Sequence, residues 1–137
     1  ESLGETAKRY IGVDEDGRLA DHDIRQAVTR SMMDRKAVAL TFERQAAEAK
    51  GKQNVTANTS FMKNAATRTN QERQEVMLKI MGHQGLGWEG DAFNEKELNL
   101  TRRWLADKAS TIYSGSFEIQ NNIVSKRILG LPDAAQG

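Results

Sequence analysis

Proline occurs once in this chain, at Pro132, and no stretch alternates apolar and polar residues for long enough to build a sheet. A backbone free of internal proline runs through many helical turns without losing a hydrogen bond, so each periodic stretch reads as helix. The expected class is all-α, of the up-down four-helix-bundle type, because short connections between long helices favour antiparallel neighbours. At 137 residues and 38% hydrophobic, the chain has material for one core and one domain.

Residues 2–10 read as the tail of a helix, and Gly12–Leu19 as a polar loop that ends at Asp21, a good N-cap. From Asp21 to about Lys50, the positions Ile24, Val28, Met32, Ala39, Phe42 and Ala46 recur at helical spacing; "KGKQN" should end that helix. A second helix starts between Ala57 and Ser60 and runs to Met81 on a stripe of Met62, Ala66, Thr69, Arg73, Val76, Met77 and Ile80, with Gly82 as its stop. A third, from about Asn94 to Tyr113, is expected to bury Leu98, Trp104, Leu105, Ala109 and Ile112. A fourth, from Ser116 to Leu129, is expected to bury Phe117, Ile119, Ile123, Val124 and Ile128. This organisation makes 1–20 a helix tail and loop, 21–131 the bundle and 132–137 a tail.

Charge and composition exclude several classes. Twenty basic against nineteen acidic residues leave a net charge of +1, which draws the chain to neither nucleic acid nor a lipid surface. No apolar run approaches the roughly 20 residues that span a bilayer, and there is no cysteine, so a cytoplasmic location is expected. The two histidines, His22 and His83, lie far apart without a Glu-x-x-His companion, so no metal is expected. Arg68, Arg73, Lys79, Arg102, Arg103, Lys108, Lys126 and Arg127 are spread among acidic residues and read as solvated faces.

Two loops stand out. "GHQGLGWEGD" carries glycine at 82, 85, 87 and 90, a density that lets backbone approach something closely, with Trp88 as the loop's anchor on the helices. The elbow "YSGS" breaks two helices apart. Gly115 can take the left-handed conformation that stops one, and Ser116 can cap the next, with Glu118 in a first turn that favours a carboxylate. Helix capping explains the elbow, and an exposed helix start that receives a polar ligand explains it as well.

The stretch "TIYSGSFEIQNNIVSKRILGLP", from Thr111 to Pro132, closely resembles the carboxyl-terminal signature of the acyl-CoA dehydrogenase family, I-Y-x-G-T-x-E-I-Q-R-N-I-I-A-x-R-x-L-G-L-P. "IMGHQGLGWEGD" is similar to the family's bacterial L-G-x-x-G-L-x-W segment, and "LADHDIRQAV" to the start of its long second bundle helix. The resemblance implies a fold like the family's carboxyl-terminal domain, and a chain starting at Glu1 in mid-pattern is expected to be a carboxyl-terminal fragment of a longer three-domain flavoprotein. It also implies FAD as cofactor, an acyl-CoA substrate for the full-length protein, and a homodimer or homotetramer. Gln84 and Gly85 would meet the pyrophosphate of FAD, Ser116 and Glu118 would lie beside the flavin and adenine ends, and Lys8, in a weak echo of R-x-x-F-G, would add a further contact.

The departures bear on chemistry. Many relatives carry a glutamate base between the signature's Tyr and Gly; here that residue is Ser114, a hydroxyl that cannot abstract the α-proton without a base of its own. Other branches hold the base on the first bundle helix, so it is expected upstream of Glu1, and this fragment alone is expected to be inactive. The alternatives are a catalytically silent oligomerisation subunit, or a related flavoprotein of the acyl-CoA oxidase or nitroalkane oxidase type.

Overall fold

The structure, a computed structural model, describes residues 2–50 and 58–132. The remainder of "KGKQN" after Lys50, the candidate start at Ala57 and the tail beyond Pro132 lie outside the described residues. Those described are all helix and connection, with one isolated bridge between Val13 and Leu19. The helices are α1 (Leu3–Ile11), α2 (His22–Lys50), α3 (Asn58–Met81), α4 (Glu95–Ala106) and α5 (Phe117–Ile123). Tighter turns at Gly82–Leu86 and Asp107–Thr111 follow α3 and α4, and a wider π turn at Val124–Ile128 follows α5.

Local chemistry sets the ends. Ser2 and Glu5 form a capping box at the start of α1: the Ser2 hydroxyl accepts from Glu5 N–H at 3.2 Å, and the Glu5 carboxylate accepts from Ser2 N–H at 2.8 Å. The segment read as a helix tail thus has its own start. Gly12, at φ 84°, ends α1 by donating its N–H to the Lys8 carbonyl. Asp21 caps α2 as expected, accepting from Ile24 N–H at 2.8 Å.

The chain divides into two compact units, with the divisions inside α2 and α3: residues up to Asp34 with Thr69–Lys108, and Arg35–Arg68 with the chain from Ala109 onward. The first unit holds a core of Leu3, Ala7, Leu19, Val28, Met77, Ile80 and Met81. Among the described residues of the second unit, the one large side chain almost wholly removed from solvent is Met62.

The stripe read for α3 is buried or half-buried throughout. Other helices present different faces from those expected. On α2, Ile24 and Val28 face inward, but beyond them Ser31 and Gln45 are the buried positions, while Met32, Ala39, Phe42 and Ala46 are exposed. Helix α4 stops at Ala106 and buries Glu97 and Thr101; Leu98 and Trp104 are half-buried, and Leu105, Ala109 and Ile112 are exposed. Ile119 and Ile128 are exposed as well, while Phe117, Ile123 and Val124 are half-buried. Apolar character marks a side chain that gains from burial, and neighbours within this chain cover only some of those that would gain.

Candidate functional site

The second unit contains the elbow. Ser114 has φ 59° and Gly115 φ 89°, and Ser114 is the only non-glycine among the described residues with positive φ. Holding an L-residue there costs about 1–2 kcal/mol. What opposes that cost is a hydrogen bond from Gln120 Nε2 to the Ser114 carbonyl at 2.9 Å. A Cβ on Gly115 would lie 2.5 Å from the same Nε2, so the turn needs glycine for its φ and for the returning amide. Ser116 Oγ accepts from Ile119 N–H at 3.3 Å and caps α5.

Glu118 is exposed, and a backbone hydrogen bond from its own N–H, with help from the Ser116 hydroxyl, holds its carboxyl below the ordinary range. A carboxylate so stabilised is a weak proton acceptor. Behind the elbow, Asn64 on α3 donates to the Phe117 carbonyl at 3.3 Å and to Asn121 Oδ1 at 3.0 Å, and the Lys63 ammonium sits 4.9 Å from the Phe117 ring centroid. Asn121, which stands where the signature has Arg, therefore braces the first turn of α5.

The first unit contains the glycine loop. Gly82, at φ 55°, turns the chain out of α3. The close approaches allowed by Gly85 and Gly87 are internal: a Cβ on Gly85 would come within 3.0 Å of the Leu78 carbonyl, and one on Gly87 within 2.4 Å of the Phe93 ring. Both glycines are buried, Gln84 is half-buried, and Leu86 is 74% exposed. Trp88 does not anchor the loop by burial. It is half exposed, its carbonyl accepts from Arg102 Nη2 at 2.7 Å, and the Arg102 guanidinium lies 5.7 Å from its ring centroid. One face of the indole is thus occupied by a cation rather than by packing.

A buried polar chain ties this loop to α4 and α1. Thr101 Oγ1 contacts the Gly85 carbonyl at 3.1 Å and the Glu97 carbonyl at 3.3 Å. Glu97, 3% exposed, closes a capping box with Asn94 and accepts from the Tyr10 hydroxyl at 2.6 Å. Burial, followed by this hydrogen bond, raises the pKa of Tyr10. The motif Asn94-x-x-Glu97 is a sequence signal for such a cap and accounts for the helix start expected at about Asn94. Lys8, exposed in the last turn of α1, lies two residues before Tyr10.

Lys8, Gln84 and Gly85 thus belong to one unit, and Ser114, Ser116 and Glu118 to the other. The polar chain includes Gly85; each site residue is described within its own unit.

The family model described as acyl-CoA dehydrogenase, C-terminal domain, matches residues 1–129. Acyl-CoA dehydrogenase IpdE1 of Mycobacterium tuberculosis is 31% identical over 140 residues, covering 99% of this chain and 32% of that protein. Its namesake from Mycolicibacterium smegmatis is 41% identical over 66 residues, covering 48% of this chain and 16% of that protein. The chain therefore spans about a third or less of the curated relatives it matches. No solved structure matches it.

Proposed function

Because this chain belongs to the acyl-CoA dehydrogenase family, as its carboxyl-terminal domain, we propose that it forms one wall of the flavin site and part of the oligomer core of an FAD-dependent enzyme that desaturates an acyl-CoA thioester. The observation that carries this reading is the elbow, where a family signature coincides with a left-handed turn, an exposed carboxylate and a capped helix start.

The residues fit a flavin dinucleotide in part. Gln84, the exposed Leu86 and the half-exposed indole of Trp88 offer an amide and apolar surface, and Lys8 offers a cation. Gly85 fits less directly, because its carbonyl is held by Thr101 and its Cα packs on Leu78; its part is to shape the loop. Ser116 spends its hydroxyl as a cap, so its role beside the cofactor is to fix the first turn of α5. FAD, when bound, supplies acceptance of the β-hydride.

Neither Ser114 nor Glu118 is suited to take the α-proton. Ser114 lacks a base, and Glu118 is a depressed carboxylate in open solvent. We place the base elsewhere in the longer parent, and this chain alone is inactive in dehydrogenation. The same residue motivates a second reading, a catalytically silent subunit beside an active partner. Anaerobic titration of the full-length flavoprotein with a panel of acyl-CoA thioesters separates the two. Bleaching of the flavin by any of them supports the enzyme, and a flavin that none of them reduces supports the silent subunit.

A further inference from the structure

The two residues that α4 buries are both polar: Glu97 is 3% exposed and Thr101 8%. Four positions apart, they share one face of the helix. A valine at 101 would have the same branched shape and cost less to bury, so what threonine adds there is its hydroxyl. That hydroxyl has one hydrogen and two carbonyls in reach, Gly85 at 3.1 Å and Glu97 at 3.3 Å. The Glu97 carbonyl lies inside α4, where the helix's own ladder supplies a donor. The Gly85 carbonyl lies near the end of the short turn Gly82–Leu86, where carbonyls run out of partners along the chain. The hydroxyl therefore matters more to Gly85.

The clamp has a fixed base. Glu97 accepts from Asn94 N–H at 2.8 Å and from the Tyr10 hydroxyl at 2.6 Å, which pins the first turn of α4 one turn ahead of Thr101. On the loop side, Gly85 packs against Leu78, where a Cβ would come within 3.0 Å of the Leu78 carbonyl. Gly85 is thus held on two sides, by α3 through its Cα and by α4 through its carbonyl. Gln84, half-buried, and Leu86, exposed, flank that fixed point.

We propose that Thr101 is a positioning residue for the glycine loop: its hydroxyl, holding the Gly85 carbonyl, sets the loop geometry on which flavin affinity depends. This rests on the reading of the loop as a wall of the flavin site. Buried behind the loop, Thr101 acts through Gly85 and not by contact with the cofactor. A loop that must find its shape on binding gives up part of its affinity to ordering, and a loop already held in shape does not.

Titration of the flavin-stripped full-length parent with FAD, followed by flavin fluorescence, tests this. Thr101→Val should bind FAD about tenfold more weakly than the wild type, and Thr101→Ser, which keeps the hydroxyl, should stay within about twofold of it. In the flavin-free protein, hydrogen exchange should quicken in Thr101→Val across residues 82–87 while α4 keeps its protection. Tyr10→Phe removes a buried hydrogen bond from the same helix but leaves the Thr101 hydroxyl in place, so it too should stay within about twofold of the wild type. A wild-type protein that binds no FAD overturns the flavin reading and this inference with it. Where the wild type binds FAD, equal affinity in Thr101→Val, or a loss in Thr101→Ser or Tyr10→Phe as large as in Thr101→Val, overturns this inference alone.

Discussion

At the scale of single residues, the elbow sets a conformational cost against local hydrogen bonds. Ser114 sits at φ 59°, so Ser114→Gly should stabilise the chain by about 1 kcal/mol, raising its melting temperature by a few degrees in a calorimetric scan. Ser116→Ala should lower stability by about 1 kcal/mol through loss of the α5 cap, and Ser116→Asp, which can accept the same N–H, should restore most of it. At Gly87, a methyl group meets the ring of Phe93, so Gly87→Ala should cost about 1–3 kcal/mol. If Gly87→Ala is neutral, the glycine is there for something outside this chain.

At the scale of elements, the links from α1 to α4 and from α4 to the glycine loop run through buried polar groups. Tyr10→Phe leaves one oxygen of the buried Glu97 carboxylate short of its donor and should cost about 1–3 kcal/mol in chemical denaturation. The same hydrogen bond has a pH signature. Because the Tyr10 pKa is raised in the folded state, its contribution is intact below the ordinary tyrosine range and is lost as pH rises through the folded value; in Tyr10→Phe that alkaline loss should disappear. Glu75 acts in the opposite direction. Lys108, 2.8 Å away, holds its carboxyl low, so its contribution is present above the ordinary carboxylate range and lost as pH falls through the folded value. Both partners are nearly half exposed, so Glu75→Gln should cost less than about 1 kcal/mol.

Some helix ends were legible because their chemistry is local: Asp21 caps α2 and Gly82 turns the chain out of α3, whereas the capped start of α1 and the stop of α4 at Ala106 were not read. Burial was not, because it depends on which neighbours arrive. Met32 and Phe42 share the apolar spacing of Val28 yet stay exposed, while Ser31 and Gln45 are covered. The candidate residues of the two loops were legible from the family signature, but the internal use of Gly85 and Gly87 was not. No local pattern announces that Leu78 and Phe93 will fill the space beside them.

At the scale of the whole molecule, the exposed apolar side chains matter most. In the second unit Leu40, Phe42, Ile112, Tyr113, Ile119, Leu129 and Leu131 are all exposed, apolar surface that would gain from being covered. Sedimentation velocity of this chain should show association that grows with concentration, and Ile112→Glu with Leu129→Glu should reduce it. Such association fits the oligomer expected of the family, and the apolar spacing that misled the burial reading of α2 and α5 is then a record of contacts made outside the chain.

The proposed role of the chain turns on whether these loops border a flavin. Its most direct measurement is the bound FAD per chain in the full-length parent, read from the visible absorption of the purified protein, for the wild type and for Gln84→Ala combined with Ser116→Val. The wild type should hold close to one flavin per chain, and the double variant, with helical content unchanged, should show a clear loss. A colourless wild-type protein with all its domains, or a double variant that keeps its full complement of flavin, would contradict it.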